Sequence, residues 1–246
     1  MHRHATHPTV IAAFALVSYA GVASAQLTSP LPNAPTASTP AEMTAEGASN
    51  QAIRVLVARS TKLNRIGWLE ASTTFRPGVG LTYTVLREGG DKRIRTRVLR
   101  QVLDTEVKMS TAPQSSRIAF SDDNYRIVGD ADGRTLRLAA RRKETALIDG
   151  TVQLDSRGRL QQVEGRLAKS PSFWVRSVTI RRTYQAVGGH ALPVRVESVA
   201  DVKLAGRCEF SMWIDYIAVD GLQVDHVATR PSLSGSEGPS LLIALN

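Results

Sequence analysis

PVRVESVADVKLAGRCEFSMWIDY, Pro193 to Tyr216, is the stretch on which the fold turns. Val194, Val196, Ala200, Val202 and Leu204 fall on one side of its first half, and Arg195, Glu197, Asp201 and Lys203 on the other. After Ala205-Gly206 the pattern repeats: Cys208, Phe210, Met212, Ile214 and Tyr216 share one face, while Glu209, Ser211 and Asp215 share the opposite one. A period of two belongs to strands with one buried and one wet face, and the small pair between the runs predicts a tight hairpin.

Upstream lies AKSPSFWVRSVTIRRTY, Ala168 to Tyr184. Taken alone it permits an active-site serine loop, a basic surface, or the lip of a pocket built into a sheet. Trp174, Val178, Ile180 and Tyr184 share a parity with Arg176 and Arg182 interleaved, so the stretch reads as a turn feeding a further strand. Earlier strands are expected at Ile66 to Phe75, Leu81 to Glu88, Tyr125 to Gly129, Leu136 to Arg142, Ala146 to Leu154 and Leu160 to Leu167. Turns are expected at Asp155 to Gly158 and at Gly188-Gly189-His190. One helix interrupts the strands. Asp91 is placed to cap KRIRTRVLRQVLDTEV, where Ile94, Val98 and Val102 recur every four residues beside Leu99 and Leu103. Arg93, Arg97 and Arg100 take the other face, with Arg100 one turn before Asp104. The expected class is therefore mainly β (α+β): an unclosed antiparallel half-barrel with one or more amphipathic helices against its concave apolar face.

The N-terminus reads as an address. Val10 to Val22 is an apolar run of signal-peptide length, and Ala23-Ser24-Ala25 supplies the small-residue cleavage pattern, predicting cleavage after Ala25. Residues 26–50, rich in Pro, Ala, Ser and Thr, read as a disordered spacer. Residues 51–220 form the folded unit and 221–246 a weakly structured tail. The single cysteine, Cys208, offers neither a disulfide nor an N-terminal lipidation site, which suits a soluble periplasmic protein that relies on its core. The formal charge is +9, or +8 once Arg3 leaves with the leader. Such an excess suits anionic membrane surfaces, and export together with few aromatic residues argues against nucleic acid. A peripheral rather than membrane-spanning protein is expected.

Catalytic and metal chemistry is thinly supplied. Beyond the leader the histidines are His190 and His226, each in a turn or tail context, which speaks against a metal site. Ser170 and Ser172 lack a G-x-S-x-G setting, so a hydrolase is the least favoured reading. Gly89-Gly90-Asp91-Lys92 lacks the phosphate-loop spacing and reads as a strand-to-helix turn. Asp122-Asp123 and Asp130 to Gly133 read as solvated turns rather than a calcium loop. No catalytic residue, metal or cofactor is expected.

The blocks GWLEASTTF, YTVLREGGDKRIRTRVLRQVLDTE, EGRLAKSPSFWVRSVTIRRTYQAVGGHALPV and SVADVKLAGRCEFSMWIDY resemble exported bacterial proteins similar to the outer-membrane lipoprotein-sorting proteins, the LolA/LolB-like group. The resemblance spans roughly residues 60 to 217 and is most specific around SPSFW. It implies an open antiparallel barrel whose mouth is plugged by helices and whose cavity takes the acyl chains of lipid or lipoprotein. Lacking a lipidation cysteine, the chain resembles the carrier rather than the anchored receptor. Trp68, Leu69, Tyr83, Trp174, Ile180, Tyr184, Phe210, Met212 and Ile214 are the candidates for lining that cavity or packing its plug. Neighbours such as Trp68 and Leu69 face opposite ways, so the set must divide between the two faces. Arg176 and Arg182 are the candidates for an anionic headgroup. The rival expectation is a periplasmic sensor or interaction domain engaging another envelope protein.

Overall fold

A computed structural model of the chain describes residues 48–111, 123–131 and 133–225. The proposed leader, most of the spacer, His226 and the end of the tail lie outside these residues. The described chain forms one antiparallel sheet of eleven strands that is not closed into a barrel, with one helix. The strands are β1 (Asn50–Ser60), β2 (Arg65–Arg76), β3 (Gly80–Gly90), β4 (Tyr125–Gly129), β5 (Thr135–Ala140), β6 (Ile148–Leu154), β7 (Leu160–Leu167), β8 (Val175–Val187), β9 (His190–Val202), β10 (Gly206–Val219) and β11 (Leu222–Gln223). Their order is β3-β2-β1-β10-β9-β8-β7-β6-β5-β4, with the short β11 added to β10.

This order makes β1 a central strand, pairing β2 on one side and β10 on the other. It also leaves β3 and β4, consecutive in sequence, at opposite edges. The chain between them must cross from edge to edge, and the helix lies in that crossing. Asp91 caps it by accepting from the backbone N–H groups of Arg93 and Ile94 at 2.8 and 3.1 Å. The helix is α-helical over Lys92–Ile94, widens into a π-turn over Arg95–Leu99 and continues as α-helix over Arg100–Ser110. We call the whole run, 92–110, α1.

The π-turn changes which residues face the sheet. A uniform helix would follow Ile94 with Val98; the wider turn adds a residue, and Leu99 is instead fully buried, followed by Val102, Leu103 and Glu106. Val98 is half-buried at the margin. Gly67 admits the helix start, because a Cβ there would stand 2.9 Å from the Ile94 side chain. Arg100 does not bond Asp104 along the helix. It reaches back to Glu88 on β3 at 2.9 Å, and Asp104 instead accepts from the Tyr83 hydroxyl at 2.6 Å.

Cross-strand register fixes the two faces. Leu56 stands opposite Leu69 and Met212, so these face inward with Phe210 and Ile214. The inward side chains form one contiguous core from Leu69 through Val196 to Leu136. Val55, Val57 and Trp213 face the other way and form a small second cluster with Ile66 and Trp68.

Candidate ligand-binding site on the concave face

The concave face is apolar along β1, β10, β9 and β8, with Leu56, Phe210, Met212, Ile214, Val196 and Ile180 all buried. α1 lies over the β1–β3 half of this face through Ile94, Leu99, Val102 and Leu103. Among the sequence candidates, Leu69, Ile180, Tyr184, Phe210, Met212 and Ile214 are brought together here. Tyr83 joins them at the edge, half-buried on β3, where its hydroxyl ties the sheet to Asp104 of α1. Burial, then the bond to Asp104, pushes the Tyr83 phenol up to about 12.

Two aromatic candidates lie elsewhere. Trp68 is on the convex face, its indole lying over Gly89, where a Cβ would stand 2.6 Å from the ring. Trp174 occupies the turn before β8, half-buried, edge-to-face with Phe173 at 5.6 Å. Neither belongs to the concave wall.

The two headgroup arginines separate as well. A bulge between Val175 and Ser177 takes Arg176 out of the alternation, so it stands in solvent 3.6 Å from Asp201. From Val178 onward the predicted parity holds, and Arg182 points inward between Ile180 and Tyr184, 2% exposed. It lies near enough to Tyr125 to favour the phenolate there, although burial dominates and raises the Tyr125 phenol.

Sequence reasoning missed the polar centre of this face. Arg54 of β1 and Glu106 of α1 form an ion pair, both almost wholly buried. Tyr216 lies within their field, donates to the Pro193 carbonyl at 3.1 Å, and has its phenol raised by burial. Ser198, opposite Ile180 and Phe210 in register, has a buried Oγ without a hydrogen-bond partner among the described residues. Glu106 was legible in part, because it stands four residues after Val102 on the apolar face. Arg54 was not, since it sits in QAIRVLVARS, where both faces are buried and no period of two shows.

The serine loop contains no nucleophile arrangement. Ser170 Oγ donates to the Arg176 carbonyl, and Ser172 Oγ accepts from the Trp174 N–H. His190 lies beyond the far end of β8, 2.9 Å from Asp220. Burial raises the Cys208 thiol, the opposite of what a reactive thiolate needs. Among the described residues no group of three His, Cys, Asp or Glu side chains could hold a metal, and no helix is long and apolar enough to cross a membrane. A surface pocket of ≈ 160 Å³ opens beside Tyr184, Asp155, Arg159 and Ala191. That is small against the roughly 300–1,000 Å³ of ordinary ligand sites.

No protein-family model matches the chain, and no curated protein does. Among solved structures, the crystal structure of a LolA superfamily protein from Nitrosomonas europaea is similar, with 9% sequence identity and a TM-score of 0.35 over 75% of this chain and 89% of that one.

Proposed function

We propose that this chain is a non-catalytic binding protein for lipid or lipoprotein acyl chains, exported to the periplasm and acting in envelope lipid handling. The observation that carries the reading is the covered apolar face. One helix, held by apolar side chains, the buried Arg54–Glu106 pair and bonds linking Arg95, Arg100 and Asp104 to the edge strand β3, lies over part of a continuous hydrophobic wall in a sheet left open between β3 and β4. α1 lies over this wall, and an acyl chain enters where α1 withdraws. Leu69, Phe210, Met212 and Ile214 then meet the chain, and Arg182 and Ser198 offer polar contacts for its ester or headgroup. The sequence resemblance to lipoprotein-sorting proteins, the apolar leader at Val10 to Val22 and the basic charge support the same reading.

Native mass spectrometry with lipid extraction, on protein prepared from a periplasmic fraction, tests it. Co-purified acyl lipid is expected. Protein free of lipid that also takes up no fluorescent fatty acid or acylated peptide would refute it.

The alternative, a sensor or interaction domain, would use the convex face around the half-exposed Trp68, on which α1 does not lie. Recovery of one stoichiometric protein partner by delipidated protein, lost on Trp68→Ala, would favour it.

A further inference from the structure

The antiparallel order sorts the loops to two ends of the sheet, and the ends differ. At one end the β1–β2 turn, the β9–β10 turn and the loop entering β8 stand side by side. Thr61 N–H donates to the Arg207 carbonyl at 3.0 Å, Ser60 Oγ to the Ala205 carbonyl at 3.0 Å, and Lys203 N–H to the Trp174 carbonyl at 2.9 Å. Each of the three carries a large apolar side chain into solvent: Leu63 is 51% exposed, Leu204 58% and Phe173 76%. Each also carries a lysine, namely Lys62, Lys203 and Lys169, and none contains an acidic residue. The Lys203 ammonium rests 3.2 Å from the Phe173 ring centroid, so charge and apolar surface are presented together.

The surrounding loops at this end add Lys92-Arg93 at the start of α1 and Arg141-Arg142-Lys143 between β5 and β6, with Asp91 and Glu144 there paired to Arg65 and Arg142. The opposite end also exposes Val79 and Leu222, but its turns are balanced in charge. Its turns set Asp130, Asp155 and Asp220 beside Arg134, Arg157 and Arg159. Apolar tips spaced along one rim, each with an adjacent lysine and no carboxylate, suit a surface that is anionic outside and hydrocarbon just beneath. An acidic protein would meet the lysines but leave three isolated apolar tips without a common groove.

We propose that this rim docks the protein on anionic lipid bilayers, with Phe173, Leu204 and Leu63 entering the interface and Lys62, Lys169 and Lys203 pairing with headgroup phosphates. The surface is separate from the concave face, and it can operate whether or not that face takes an acyl chain.

Vesicle co-sedimentation of the full chain tests it, using phosphatidylcholine alone and phosphatidylcholine with phosphatidylglycerol. Every variant keeps the same N-terminal segment, so that segment's own affinity is common to all. Binding is expected to require phosphatidylglycerol, to weaken with salt, and to fall on the order of fivefold for each lysine reversed in Lys62→Glu and Lys203→Glu. Phe173→Ser is expected to lower binding at constant charge, and Arg157→Glu at the far end to leave it unchanged. All these positions are exposed or half-buried, and an unchanged circular dichroism melting curve verifies folding. Equal loss with Arg157→Glu, equal binding to phosphatidylcholine alone, or capture by soluble polyglutamate without vesicle binding would overturn the proposal.

Discussion

The two faces of β1 and β10 bury side chains by different means. On the concave face Leu56, Phe210, Met212 and Ile214 belong to a core that runs the width of the sheet and is covered in part by α1. On the convex face Val55, Val57 and Trp213 are just as inaccessible; among the described residues the apolar side chains packed on them are Ile66 and Trp68, and ion pairs such as Arg195–Glu197 flank the cluster. Arg195 also lies over the Trp213 ring, 5.4 Å from its centroid. Among the described residues the concave face is thus covered in part by a helix, whereas the convex cluster is packed by neighbouring strand side chains. The proposed ligand would share the face that α1 covers.

Substitutions that open the concave core should cost most. Phe210→Ala is expected to lower stability by about 3–5 kcal/mol in urea unfolding, through lost burial and the cavity left behind. Breaking the helix latch is expected to cost a similar amount, about 3–5 kcal/mol for Arg54→Ala or Glu106→Ala, because each leaves a buried charge alone. The double variant Arg54→Met with Glu106→Leu should recover most of that loss, which would separate the worth of the pair from the cost of orphaning one member. On the convex face Trp68→Ala is expected to cost only about 1–2 kcal/mol, since the indole is half-exposed and lies over a glycine. A cost for Trp68→Ala equal to that for Phe210→Ala would erase the distinction between the faces.

Smaller effects refine it. Tyr83, Tyr125 and Tyr216 all lie on the concave side and have raised phenol values. Below about pH 10 the phenols are neutral in folded and unfolded chains alike, so they add no pH dependence there. As pH rises further the unfolded chain loses these protons first and stability must fall, for Tyr83 through about pH 12. Melting temperatures measured against pH should show this decline, and Tyr83→Phe should make it shallower. Ser198→Ala is expected to leave stability unchanged or raise it by up to about 1 kcal/mol, because it removes a buried hydroxyl without a partner.

What the sequence revealed follows the same division. Strands with an alternating pattern were legible: β4 at Tyr125–Gly129 and β7 at Leu160–Leu167 match the expected bounds, and the β9–β10 hairpin forms as expected, although Ser211 and Asp215 on the face of β10 expected to be wet are buried. β1 was not, because Arg54 to Ala58 are buried without interruption and hide the period of two. With β1 went Arg54, and with Arg54 the latch to Glu106. The π-turn was equally hidden, since a four-residue spacing of Ile94, Val98 and Val102 is compatible with a uniform helix. Arg176 and Trp174 were misplaced for a local reason: a bulge at the start of β8 resets the alternation, and alternation alone cannot register an inserted residue. Trp68 and Trp213 show that an aromatic on a strand does not declare its face.

Hydrogen exchange followed by mass spectrometry, with and without a fatty acid such as oleate, tests the helix-covered face most directly. Addition of ligand is expected to lower protection across 92–110 while β8, β9 and β10 keep theirs, as α1 lifts and the sheet stays formed. Binding that leaves the protection of 92–110 unchanged, or the absence of any binding, would contradict the account.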